Sequence, residues 1–100
     1  MRPDVLSSAD VDAALAEQHI AWERNGDALT TTVTLHDFAD ALTFVNAVGA
    51  AAEAANHHPD IDIRWNKVTL VLTTHSEGGL TVLDLALAAA VDRLRPLREG

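Results

Sequence analysis

Cysteine is absent from this 100-residue chain, so disulfides are excluded and the redox compartment stays open. Aromatic residues make up only 4% of it although hydrophobic residues reach 48%, so a core has to be assembled from Ala, Val and Leu. Such side chains bury little area each, and a chain this short still leaves about 40% of its surface exposed, which makes self-association a natural remedy. Basic residues are also scarce: seven Lys and Arg face fifteen Asp and Glu, for a formal net charge of −8. Phosphate backbones are bound by clustered cations, so direct binding of nucleic acid is not expected, and anionic membranes exert no attraction. Arg93, Arg95 and Arg98 gather near the C-terminal end and the other cations are scattered. No apolar run reaches spanning length, and Met1-Arg2-Pro3-Asp4 is not followed by an apolar signal core, so the expected location is the cytoplasm. There is no linker, repeat or low-complexity tract, and one domain over residues 1–100 is expected.

What is present reads as alternating elements. Ser7 opens a helix with Asp10 as its acidic capping partner, followed by Val11, Ala14, Leu15 and Gln18. Residues 20–24 form a short strand around Trp22, and Asn25-Gly26-Asp27 turns the chain into a second strand over residues 28–35. Asp37 caps a long helix from Phe38 to about Asn56. Its apolar stripe runs Phe38, Leu42, Val45, Val48 and Ala52, and Phe44, Ala47, Ala51 and Ala55 extend it to another face. A helix apolar over most of its circumference is covered on more than one side, by a sheet and by a partner subunit. Pro59 is expected to end it, because the residue before proline disfavours helical geometry. Residues 62–65 and 67–74 read as strands, the latter with Val68, Leu70 and Leu72 in alternation. Thr81 caps a last helix through Leu94, with Pro96 just past its end. The order α-β-β-α-β-β-α predicts an α+β fold: a four-stranded, mostly antiparallel sheet with helices packed on one face.

Proton-handling groups cluster in this apolar background. Glu53 and His57 are four apart, which makes them neighbours on a helix, and a carboxylate there orients the imidazole. His57 falls in the expected last turn, where the helix dipole favours positive charge. Pro59 forces His58 out of the helix, so the adjacent rings can take different roles. His75 stands ten residues after Trp65, an even spacing that puts both on one sheet face if pairing is regular. Plainer readings stand beside these. A histidine pair at a helix end is commonly a solvated cap, and Asp84, three after Thr81, is a capping-box acid rather than a catalyst. Trp22 and Trp65 read as core anchors. His19 and His36 read as surface residues, and Glu77 as a solvated loop charge. The histidines match no zinc spacing, so no metal is expected, and no serine sits in a GxSxG turn.

Taken together, Glu53-xxx-His57-His58-Pro59, Trp65-Asn66-Lys67-Val68, Thr74-His75, Gly79-Leu80-Thr81 and Asp84 closely resemble the pterin-4a-carbinolamine dehydratase family. Its signature runs from an acidic or polar residue through His-His-Pro, an aromatic and a later His to a downstream Asp. Trp22, the Asn25-Gly26-Asp27 turn and Asp37-Phe38 also stand where the family has similar residues, so the resemblance covers most of the chain. It implies dehydration of a 4a-hydroxytetrahydropterin to a quinonoid dihydropterin, a hydro-lyase step in tetrahydrobiopterin recycling after an aromatic amino acid hydroxylase, with neither metal nor cofactor. It further implies that His57 and His75 act as acid and base, that His58 binds and polarises substrate, and that Glu53 orients His57. Pro59, Thr74, Ser76 and Glu77 would line the pterin pocket, with Asp84 and Trp22 in support. Ile61 and Ile63 depart from the aromatics of many relatives, and Glu77 adds a negative charge. Animal members also serve as dimerisation cofactors of a homeodomain transcription factor, and some bacterial relatives as assembly or regulatory proteins. The competing expectation is therefore a non-catalytic binding module; the intact histidine set favours the enzyme. Either way a homodimer or homotetramer is expected.

Overall fold

Gly26, with φ at +62°, lets the chain reverse between Asn25 and Ala28, and this hairpin starts the sheet. The computed structural model describes residues 2–18 and 20–96; His19 and Arg98, read above as surface and terminal residues, lie outside them. In chain order the elements are α1 (Ser8–Glu17), β1 (Glu23–Asn25), β2 (Ala28–Thr34), α2 (Phe38–Ala55), β3 (Asp60–Arg64), β4 (Lys67–Leu72), a 3-10 turn (His75–Glu77) and α3 (Val82–Asp92). The strands form one sheet in the order β1-β2-β4-β3, and every neighbouring pair is antiparallel. The expected α+β class and element order are those observed.

Alternation decides which face of the sheet is covered. Val68, Leu70 and Leu72 of β4 are fully buried, and their cross-strand partners Val33, Thr31 and Leu29 are buried with them. Ala41, Phe44, Val48 and Ala52 of α2 join that layer, as do Leu85, Leu87, Ala88 and Val91 of α3 and Val11 of α1. On the other face Thr32 and Thr69 share a hydrogen bond across β2 and β4 at 2.9 Å.

Several sequence expectations are corrected here. The first strand begins at Glu23 rather than Ile20. The Ala21 amide instead donates to Asp92 Oδ2 (2.9 Å), and its carbonyl accepts from Thr31 Oγ1 (2.9 Å), so this backbone is tied to side chains. Trp22 is buried beside it, its Nε1 donating to Asp92 Oδ1 at 3.0 Å, so it is the core anchor its size suggested. Trp65 is not: it is 67% exposed and sits in the β3–β4 turn at φ +54°. Leaving the ladder there breaks the alternation, so its spacing to His75 carries no information about a shared face. On α2, Phe38 and Leu42 are exposed whereas Ala41 and Phe44 are buried. The buried face runs Ala41, Phe44, Val48 and Ala52, so it keeps the later half of the expected stripe and replaces its first turn. The last helix stops at Asp92, whose carboxylate also accepts from Arg95 Nε at 2.7 Å, two residues short of the expected Leu94.

Candidate active site

Asn56, not Pro59, ends α2. It adopts left-handed geometry (φ 49°, ψ 42°), its amide donates to Glu53 O at 3.2 Å, and the His57 amide donates to Ala52 O at 3.1 Å. This is the Schellman pattern, and Asn is among the few side chains that accept the left-handed region readily. Pro59 comes after the helix has already ended, ahead of β3.

That turn rearranges the carboxylate–histidine pairs. His57 lies outside the helix, so Glu53 no longer faces it as a fourth-residue neighbour. Instead Glu53 Oε2 meets His58 Nε2, and both side chains are largely exposed. His57 Nε2 lies 2.6 Å from Asp84 Oδ1, with the His57 side chain 11% exposed and the Asp84 side chain 0%. The inferred partnership of Glu53 with His57 is therefore corrected: Glu53 holds His58, and Asp84 holds His57.

Asp84 does form the capping box expected of it. Its Oδ2 accepts from the Thr81 amide at 2.9 Å, while Thr81 Oγ1 caps the first turn of α3. It also accepts from Thr74 Oγ1 at 2.7 Å. A carboxylate removed from water is costly unless hydrogen bonds replace its hydration, and here both oxygens are engaged. A capping acid with a spare oxygen was visible in the sequence; that the oxygen would meet His57 was not.

His57, His58 and His75 come together on one open groove of about 280 Å³, lined also by Asn56, Thr73, Thr74 and Ser76. The chain after β4 supplies one wall: Thr74 bridges to Gly79, and the 3-10 turn between them begins at His75. His57 and His58 come from the segment that follows α2. Each of these two rings has Nε2 on a carboxylate, which leaves Nδ1 as the other nitrogen able to exchange a proton. Asn56 and Thr73 were not singled out from sequence, although an Asn at a helix end is a signal for a left-handed cap.

The remaining inferred residues divide between the groove lining and other parts of the molecule. Glu53 and Pro59 are outside the groove lining, Glu53 being held by His58. Glu77 turns away, accepting from Ser76 Oγ (2.9 Å) and pairing with Arg2 Nε (3.5 Å). Thr74 is in the lining, yet its side chain is buried against Asp84 and Thr81. Trp22 is bonded to Asp92, eight residues along α3 from Asp84 and so about 12 Å away by helical rise. A larger hollow of about 440 Å³, walled by Ala21, Glu23, Thr30, Thr31, Thr32 and Arg95, contains no histidine. Among the described residues no three or more His, Asp or Glu side chains are grouped as metal ligands.

The sequence and the four-stranded antiparallel α+β fold are matched by known proteins. The family model for pterin 4 alpha carbinolamine dehydratase matches residues 4–94. The chain belongs to that family. A relative from Mycobacteroides abscessus, provisionally named a pterin-4-alpha-carbinolamine dehydratase, is 49% identical over 88 residues, covering 88% of this chain and 93% of its own. One from Thermomicrobium roseum with the same provisional name is 50% identical over 82 residues, covering 82% and 88%. Among solved structures, a transcriptional coactivator/pterin dehydratase from Brucella melitensis superposes with a TM-score of 0.86 at 28% identity, over 93% of this chain and 100% of that one. A pterin dehydratase-like protein described as a RuBisCO assembly factor in the alpha-carboxysome is more distant, with a TM-score of 0.64 and 26% identity over 77% and 92%.

Proposed function

We propose that this protein dehydrates a 4a-hydroxytetrahydropterin. The carrying observation is the convergence of three imidazoles on one groove, one of them, His57, held by the buried carboxylate of Asp84. Loss of water from a carbinolamine needs a proton delivered to the C4a hydroxyl as the C–O bond breaks, and a proton removed from a ring nitrogen as the C=N bond forms. Imidazoles do both near neutral pH, and general acid–base catalysis contributes about 10²–10⁴-fold. His57 and His75, brought to the groove by different segments, serve as the acid–base pair, and His58, braced by Glu53, binds and polarises the substrate. Ser76 and the backbone of the Thr74–Ser76 segment meet the pterin's donors and acceptors. The reaction uses no metal or cofactor and consumes the 4a-hydroxy product of an aromatic amino acid hydroxylase in the cytoplasm. The working form is a homodimer or homotetramer. Stopped-flow measurement of the dehydration of a chemically generated 4a-hydroxytetrahydropterin tests the assignment; a rate equal to the uncatalysed one would end it.

A second reading is a non-catalytic assembly or regulatory module, favoured by two observations. Phe38 and Leu42 present exposed apolar surface on α2, and a structural relative is described as an assembly factor. It predicts no acceleration in the same assay.

A further inference from the structure

We propose that Thr74 is a positioning residue that ties the two proton-transferring histidines together and leaves Nδ1 as the working nitrogen of His57; this rests on the dehydratase reading. Thr74 acts through both its main chain and its side chain. Its carbonyl accepts from the Glu77 and Gly78 amides, each at 3.0 Å, and its amide donates to Gly79 O at 3.1 Å. These bonds close the turn that presents His75. Its hydroxyl, meanwhile, lies 2.7 Å from Asp84 Oδ2, on the carboxylate whose other oxygen holds His57. One residue therefore sets where both walls of the groove stand.

The direction of every proton in this network follows from donor counting. A hydroxyl has one proton and a carboxylate has none to give. Thr74 spends its proton on Asp84, so in the 2.8 Å contact between Thr74 Oγ1 and Thr81 Oγ1 the donor is Thr81. Thr81 Oγ1 in turn accepts from the Leu83 amide at 3.2 Å, and the Thr81 amide donates to Asp84 Oδ2 at 2.9 Å. The chain runs one way, from the first turn of α3 through two hydroxyls into Asp84. With its other oxygen free of these donors, Asp84 accepts the Nε2 proton of His57. Nδ1 is left for the substrate, as an acceptor on the neutral ring and as a donor once protonated. Thr74 has no proton left for the pterin, and its side chain is buried, so it shapes the reaction without contacting the reacting atoms.

Two measurements test this on the full chain. Long-range ¹H–¹⁵N correlation spectra of the wild-type protein, at a pH where His57 is neutral, should show the Nε2–H tautomer for that ring. The Nδ1–H tautomer would overturn the proposal, because Asp84 would then be donating. In stopped-flow dehydration, Thr74→Val should lower kcat by about tenfold or more with KM within about twofold, and Thr74→Ser, which restores the hydroxyl, should recover most of it. Asp84→Asn combined with Thr74→Val should be no slower than Asp84→Asn alone, since both act on one path. Wild-type turnover in Thr74→Val, a change confined to KM, or equal losses in Thr74→Val and Thr74→Ser would each refute it. If Thr74→Val does not fold, the tautomer decides. If the wild-type protein shows no dehydration, the functional reading fails while the tautomer still reports on the hydrogen-bond chain.

Discussion

His57 Nε2 and Asp84 Oδ1 lie 2.6 Å apart although 27 positions separate them in the chain. The contact joins the C-terminal end of α2 to the first turn of α3. One carboxylate thereby caps a helix and holds an imidazole, so the site and the packing of these two helices share a single bond. Asp84 accepts from three donors at once: the His57 ring, the Thr74 hydroxyl and the Thr81 amide.

His57→Ala and His75→Ala should each slow dehydration by at least about tenfold, since each removes one partner in proton transfer. His58→Ala should instead raise KM. Wild-type turnover in the His57/His75 double variant, measured by stopped flow, would show that neither ring carries the reaction.

Asp84→Asn preserves shape but converts an acceptor-only group into one that must donate from one of its two arms. Stability to urea should fall by about 1–3 kcal/mol, because a buried hydrogen-bond network and a helix cap are disturbed together. Glu53→Gln breaks a contact between exposed groups and should stay within about 1 kcal/mol of wild type. Equal destabilisation by the two would contradict the buried role assigned to Asp84.

Asp12 provides a pH-dependent contribution away from the groove. A hydrogen bond from Arg24 Nε at 2.8 Å, with the charge of the guanidinium added to it, lowers the Asp12 carboxyl below its ordinary value. A lowered carboxyl stabilises the fold above the unfolded-state pKa, and this contribution is lost as pH falls through the folded value. The stability difference between wild type and Arg24→Gln, read from urea midpoints, should therefore be present near neutral pH and vanish in strong acid. Salt should shrink it, since both groups reach solvent. A difference that grew on acidification would reverse the assigned sign.

Exhaustive chelation should leave both fold and activity unchanged, because among the described residues no three His, Asp or Glu side chains are grouped as a metal would need. Stoichiometric zinc that is lost together with activity would overturn this.

Leu42 and Phe38 are large apolar side chains left exposed on α2, where the sheet does not reach. If the proposed self-association uses this face, Leu42→Glu should lower the oligomeric state by placing charge in the contact. Light scattering that finds the wild-type protein monomeric at micromolar concentration would remove the inference of self-association.

Local signals in the amino-acid sequence were enough for the element order and most of the helix caps. Ser7, Asp37 and Thr81 each cap the helix they were expected to, and Val68, Leu70 and Leu72 alternate into the core as their pattern requires. Such signals act within a turn or a strand, which is why they survive being read without neighbours. The histidine cluster was legible for the same reason, as a pattern of residue types. Tertiary structure decided what the pattern could not. The left-handed turn at Asn56 swung His57 off its helix, and the packing of α3 against α2 put Asp84 within reach of it. Packing put Ala41 and Phe44 in line with Val48 and Ala52 and left Phe38 and Leu42 outside, because helical period alone does not say which neighbouring positions meet the core. The partner of an imidazole depends on where two distant segments meet, and that is settled by packing across the whole chain, not by spacing along it.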